Sequence, residues 1–274
     1  MSSDLATALW KARTDGGVIA VGGADRPASE GDAYALQGEV AALFDSETVG
    51  WKLGATNEKT LNLLGFERPF AGPLLAAHFH GMREPLSVHA AHRPRLETEF
   101  LVTLARDLPP RDDPYTDDEV EAAVEHVCPA FEVVGCRSEE DLSEAGLLLI
   151  GDGAVNIAVI PGEPTANWRD ANLSDHPLRV TINGAEAATG SSNLLMWGNP
   201  YAAVAYRGRH HRPAGQHDLE NFVLLATAAL QRQCEHIDAI NVRPDVVDRA
   251  RDVHAILFAK LYYRLCGCPT NDPE

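Results

Sequence analysis

The alternation of apolar and polar positions is most informative over residues 95–137. Arg95-Leu96-Glu97-Thr98-Glu99-Phe100-Leu101-Val102-Thr103-Leu104 and Ala130-Phe131-Glu132-Val133-Val134 carry β-branched and aromatic residues in short apolar runs, which predicts two strands. Strand side chains alternate between faces, so Glu97 and Glu99 point the same way. Apolar residues at helical spacing predict helices over 4–14, 29–44, 58–64 and 116–127, with Ser29 and Thr116 as N-caps. Further strands are predicted at 49–56, 70–75, 147–150, 156–161 and 178–183, the last running into the hairpin signal Asn183-Gly184. A polar turn is expected at 189–193 and a helix from Asn199-Pro200 to Tyr206. Residues 207–216 read as a basic linker. Beyond it, Leu219, Phe222, Val223, Ala226 and Leu230, then Val246, Ala250, Val253, Leu257, Leu261 and Leu265, recur at helical spacing and predict a helical tail.

Length and composition add bounds rather than new elements. A chain of 274 residues, 45% hydrophobic and 23% charged, is an ordinary globular protein with a sizeable core. The formal net charge of −17 argues against nucleic acid or an anionic membrane as partner, because both require a basic footprint. No apolar run is long enough to span a bilayer, and residues 1–13 lack the apolar core of a signal peptide. With five cysteines, an odd number, free thiols in a reducing cytoplasm are expected. Cys266-Gly267-Cys268 lacks partner ligands and reads as incidental.

The candidate chemistry lies in carboxylates and one lysine. Glu132 sits inside an apolar run, where an ionised carboxylate is costly to bury unpaired. If Glu97, Glu99 and Glu132 converge, their repulsion is relieved by a hard divalent cation such as Mg²⁺ or Mn²⁺, which prefers oxygen ligands. The alternative is that Glu97 and Glu99 line the solvent face of a half-exposed strand. Lys52, one of only four lysines, is held in an apolar strand between Gly50 and Gly54. It either snorkels at a strand end or aims an ammonium into a pocket. Asp152, between Gly151 and Gly153, is a turn residue or the rim of a site. His78-Phe79-His80 is either a solvated loop pair or a pair of metal ligands.

In order along the chain, Gly50-Trp51-Lys52-Leu53-Gly54-Ala55-Thr56, then Pro69, Gly72 and Leu74, Glu97-Thr98-Glu99-Phe100, Arg106-Asp107-Leu108-Pro109, Pro129-Ala130-Phe131-Glu132-Val133-Val134 and Asp152 form a set. That set resembles the 2-keto-4-pentenoate hydratase and 4-oxalocrotonate decarboxylase branch of the fumarylacetoacetate hydrolase superfamily, over roughly residues 1–206. The resemblance implies an α+β fold: a mixed β-roll with peripheral helices and a helical N-terminal part over 1–48. It places Mg²⁺ or Mn²⁺ on Glu97, Glu99 and Glu132. It assigns Lys52 and Asp152 to catalysis, and Lys52, Gly72 and Leu74 to substrate binding. The chain departs from the family pattern at Gly135-Cys136-Arg137, where Asp-Ser-Arg is usual, and at Gly151-Asp152-Gly153-Ala154-Val155, where Ala-Asp-Asn-Ala-Ser is usual. The Gly/Thr-rich closing strands of the family are not visible in the sequence. The expected organisation is therefore a metal-binding domain over 1–212 and an atypical helical extension over 213–274.

The function this implies is a divalent-metal-dependent lyase of a small 2-oxo acid or its enol, hydrating a 2-oxo-enoate or decarboxylating through the same enolate. Two alternatives accompany it. One is C–C hydrolysis of an acylpyruvate; the other is a diverged, non-catalytic subunit that binds a partner through its tail. The amphipathic tail also predicts a homo-oligomer.

Overall fold

A computed structural model of the chain describes residues 3–82, 85–109, 111, 113–165, 167–182, 185–210, 222–228, 239–241 and 256–258. The N-terminal part is helical, with α1 (Asp4–Asp15) and α2 (Glu30–Ala41). Each begins where a serine satisfies a free backbone amide: Ser3 Oγ accepts from Ala6 N at 3.2 Å and Ser29 Oγ from Asp32 N at 3.1 Å. β1 (Thr48–Gly54), α3 (Glu58–Leu64), β2 (Phe70–Leu75), β3 (Pro85–Ser87) and β4 (Arg95–Leu104) follow. Then come α4 (Asp117–Glu121), β5 (Val124–Val134), α5 (Leu142–Ala145), α6 (Leu148–Gly151), β6 (Asn156–Pro161), β7 (Pro177–Ile182), β8 (Ala185–Ser191) and α7 (Pro200–His210). Three further strands are β9 (Phe222–Ala228), β10 (Ala239–Asn241) and β11 (Ile256–Phe258). Among the described residues no helix is long and apolar enough to cross a membrane.

The principal sheet has six strands in the order β2-β1-β9-β4-β5-β6, with only the β1–β9 pair parallel. Alternation divides its strands between two environments. Trp51 and Leu53 of β1 and Phe100, Val102 and Leu104 of β4 point into a core shared with Val204 of α7. On the opposite face, register sets Glu97 against Glu132, Glu99 against Ala130 and Leu101 against Cys128. That face is curled. Leu74 of β2, at one end of the strand order, packs in one cluster with Leu101, Cys128, Ala130 and with Val159 of β6, at the other end. The backbone reinforces the closure: His80 N donates to Val159 O at 2.9 Å. The sheet is thus rolled, with Lys52, Glu97, Glu99 and Glu132 on its inner side and α1, α2 and α6 packed outside through Leu9, Leu36, Val40 and Leu148.

Four sequence expectations are corrected. The run at 147–150 is helix α6, not a strand; Leu148, Leu149 and Ile150 are all buried, and an apolar run of that length has no period to distinguish the two. α4 ends at Glu121 rather than reaching 127, because Val124 and Val127 already belong to β5. The turn expected at 189–193 is strand β8 as far as Ser191, pairing with β7. In the tail, residues 222–228 form β9, between β1 and β4, where a helix was predicted. Phe222-Val223-Leu224-Leu225-Ala226 is a continuous apolar run, in which helical spacing arises trivially; a strand paired on both edges requires the same composition. Residues 239–241 and 256–258 are also strands, so the predicted helical tail does not hold where the structure describes it. The rest of the second apolar stripe, and Cys266 and Cys268, lie outside the described residues.

Leu74 is fully buried in the closure cluster, where it packs with Leu101, Cys128, Ala130 and Val159. Leu74→Ala is expected to destabilise the protein by about 2–5 kcal/mol in denaturant unfolding, the range for a buried leucine that leaves a cavity.

Candidate metal centre

β4 and β5 supply the carboxylates. Glu97 and Glu132 face each other across the ladder, and Glu99 stands two residues along on the same side. One oxygen from each of the three lies within 4.8 Å of the other two, the one such group of potential ligands among the described residues. Glu99 and Glu132 are 1% exposed. β1 adds Lys52, whose Nζ sits 2.8 Å from Glu132 Oε2 and donates to Ala154 O at 3.3 Å. Trp51 and Leu53 on the other face fix the strand, so alternation alone turns Lys52 inward.

The electrostatics are unbalanced. One ammonium faces three carboxylates, and both oxygens of Glu99 are buried with no hydrogen-bond partner among the described residues. Burial and the charge of Glu132 push Glu97 up to about 7, against the attraction of Lys52. Burial, then Glu132 and Glu97, hold Glu99 well above the ordinary carboxylate range. Burial pulls the Lys52 ammonium down, but Glu132, Glu97 and Glu99 together outweigh it and leave Lys52 raised. An unsatisfied carboxylate inside an oxygen-only cluster is the donor set of a hard divalent cation, so these residues fit Mg²⁺ or Mn²⁺.

Asn156, which the sequence reading missed, and His78, which it offered as a ligand or a solvated loop residue, complete the surroundings. Asn156 opens β6, and its Nδ2 donates to Glu132 Oε1 at 2.8 Å. His78 Nδ1 lies 2.9 Å from Asn156 Oδ1, which is where His78 points instead of toward the carboxylates. Burial, then Arg13, lower His78 to about 3, so its ring is neutral. A polar residue at the mouth of the apolar run Ile157-Ala158-Val159-Ile160 is the same signal as Glu132 in its own strand, and it identifies Asn156 in retrospect.

Asp152 is not part of the cluster. It is buried beside Arg137, whose Nε lies 2.7 Å from Oδ2 and whose Nη2 donates to the Asp152 carbonyl at 2.7 Å. Arg13 of α1 adds a longer pair at 3.5 Å. The Asp152 carboxylate is thus held between two guanidiniums. What it controls is the turn after α6. Gly153, Ala154 and Val155 all have positive φ (65°, 51° and 57°), a conformation that costs a non-glycine residue about 1–3 kcal/mol. This turn aims the Ala154 carbonyl at Lys52. Gly72 serves the same turn: a Cβ there would lie 2.4 Å from Ala154 Cβ and 3.0 Å from Gly153 O. That close approach requires a residue without a side chain.

The comparisons with known proteins bear on this centre. No family model matches the chain. It is 29% identical over 181 residues to a 2-keto-4-pentenoate hydratase of Paraburkholderia xenovorans, covering 65% of this chain and 66% of that protein, just under two thirds of its length. It is 29% identical over 213 residues to 2-keto-4-pentenoate hydratase 2 of Dechloromonas aromatica, covering 72% of this chain and 79% of that one. In fold it is similar to 4-oxalocrotonate decarboxylase from Pseudomonas putida G7, solved with magnesium and adipate: TM-score 0.66 over 88% of this chain and 89% of that one, at 22% identity.

Two outcomes are expected of the isolated cluster. In EDTA at alkaline pH, Glu99→Gln is expected to stabilise the protein by about 1–3 kcal/mol, because ionising the buried Glu99, which burial, Glu132 and Glu97 oppose, costs the wild type what the neutral amide avoids. In Mg²⁺ the variant should lose that advantage. Because Glu97 is raised from 4.5 to about 7, its contribution to stability in EDTA is full below pH 4.5 and is lost as the pH rises through 7. A bound divalent ion requires the ionised form, so melting temperatures measured across this window should fall with pH in EDTA and rise with pH in Mg²⁺.

Sequence and fold agree in what the chain is similar to: it resembles the 2-keto-4-pentenoate hydratase and 4-oxalocrotonate decarboxylase branch of the fumarylacetoacetate hydrolase superfamily.

Proposed function

We propose that this protein is a divalent-metal-dependent lyase acting on a small 2-oxo acid, with hydration of a 2-oxo-enoate as the favoured reaction. The observation that carries the reading is the buried Glu97–Glu99–Glu132 group, with Glu99 unpartnered and Lys52 against Glu132. The hydratase relatives and the magnesium-bound decarboxylase of similar fold support the same chemistry. Glu97, Glu99 and Glu132 would hold the ion. When bound, it supplies a Lewis acid for a substrate's carboxylate and 2-oxo oxygens.

The chain's own residues do the rest. Lys52 keeps a fixed positive charge beside the site, countering the negative charge that passes to the 2-oxo oxygen on the way to product. Its bonds to Glu132 and Ala154 set its direction before substrate arrives. Inside the roll, bulk water is excluded, which strengthens that interaction. In hydration, water adds its oxygen to the far carbon of the conjugated double bond and a proton to the near one. In decarboxylation, the same 2-oxo group takes up the electron pair left as CO₂ departs. Asp152 holds the turn beneath Lys52 through its bonds with Arg137.

The non-catalytic alternative draws on the two departures from the family pattern, at 135–137 and 151–155, and on a tail without closing strands. β9 in the middle of the principal sheet weighs against the second of these grounds. Calorimetry with Mg²⁺ and Mn²⁺ tests the proposal. The wild type should bind either ion more tightly with oxalate or pyruvate present, and Glu97→Gln should weaken ion binding by tenfold or more while abolishing turnover of 2-oxo-enoates. Absence of ion binding by the wild type would sink the reading.

A further inference from the structure

The proposed metal centre leaves one arrangement unexplained: a directed chain of hydrogen bonds that ends on Glu132. We propose that Asn156 and His78 are positioning residues that hold Glu132 in the single rotation allowing it to serve Lys52 and the carboxylate cluster together, with the His78 proton on Nδ1. This rests on the metal-site reading above.

The argument runs from the chemistry of each group. Glu132 Oε2 is taken by Lys52 at 2.8 Å, and Oε1 by Asn156 Nδ2 at 2.8 Å. An ionised carboxylate only accepts, so the amide must present its NH₂ to Glu132. The amide oxygen then faces His78 Nδ1 at 2.9 Å. That oxygen also only accepts, so Nδ1 must carry the proton and Nε2 the lone pair. The direction is fixed at every link: His78 donates to Asn156, Asn156 donates to Glu132, and Lys52 donates to Glu132 and to Ala154. Rotating the amide would set oxygen against oxygen inside a site where Asn156 is 1% exposed. Neither partner moves freely. Phe44 packs edge-on against the His78 ring at 5.4 Å, and Arg13 donates to the Asn156 carbonyl. Among the described residues Glu99 has no such support, so of the two most buried carboxylates Glu132 is the one held by hydrogen bonds there.

The test reads metal affinity and the imidazole tautomer, not turnover. Titration with Mn²⁺, followed by its paramagnetic resonance signal, is expected to show binding weakened about tenfold in Asn156→Leu and His78→Leu, the usual loss when a ligand's supporting hydrogen bond is removed. His78→Asn keeps a donor where Nδ1 was and should bind close to wild type. His78→Gln moves the donor to the Nε2 position and should bind as weakly as His78→Leu. In the metal-free wild type, ¹⁵N spectra of labelled histidine should show the His78 proton on Nδ1, the signal being assigned by its absence in His78→Asn. Should the leucine variants fail to fold, the Asn and Gln pair carries the comparison. Wild-type binding with all variants equally tight, or a proton found on Nε2, overturns this inference and leaves the metal site standing. A wild type that binds no Mn²⁺ overturns the metal site and this inference with it.

Discussion

The structure depends on keeping three carboxylates and one ammonium out of water. Each buried ion carries a desolvation cost of several kcal/mol, and Lys52 compensates only part of it. The imbalance is visible in the protonation preferences: Glu97 and Glu99 are raised by burial and by their neighbours, and Lys52 is held above its ordinary range by all three acids. A protein that spends stability in this way has built a cluster that is complete only with added positive charge, either protons or a divalent ion. Closure of the sheet makes the cluster possible. Leu74, Leu101 and Val159 seal the inner face beyond Ala130, so the acids are enclosed by strands rather than left on a half-exposed surface.

A second ionic arrangement supports the first. Arg137, fully buried, and Arg13 clamp Asp152, its carbonyl and the turn that follows. That turn is strained at Ala154 and Val155, yet it delivers a carbonyl to Lys52 and the Asn156 amide to Glu132. The two places where the sequence departs from the family pattern, Gly135-Cys136-Arg137 and Gly151-Asp152-Gly153-Ala154-Val155, meet here. Gly135 N donates to Val155 O at 2.9 Å and Arg137 N to Asp152 Oδ2 at 3.1 Å.

Much of the site was legible along the chain because its signals are local. The Glu-x-Glu spacing on one strand, a glutamate inside an apolar run and a lysine between two glycines each follow from alternation, which needs only neighbouring residues. So do the N-caps at Ser29 and Thr116. What was not legible needs partners distant in sequence. Gly72 and Leu74 sit in the right segment, but their neighbours are Ala154 and Val159, which no spacing identifies. Asp152 reads as a rim residue until Arg137 and Arg13 are placed beside it.

By itself, then, the sequence determined the carboxylate strands and the helical N-terminal part, since period and capping are properties of short segments, and it left the direction of Lys52 open. Only the tertiary structure decided that the sheet rolls until β2 meets β6, and that residues 222–228 pair as a strand between β1 and β4. It also decided that Asp152 is an anchor and that His78 and Asn156 are tied to Glu132. Sheet closure and buried charge pairing are set by which distant groups are brought together, and a continuous apolar run or an isolated polar residue fits several such partners equally well.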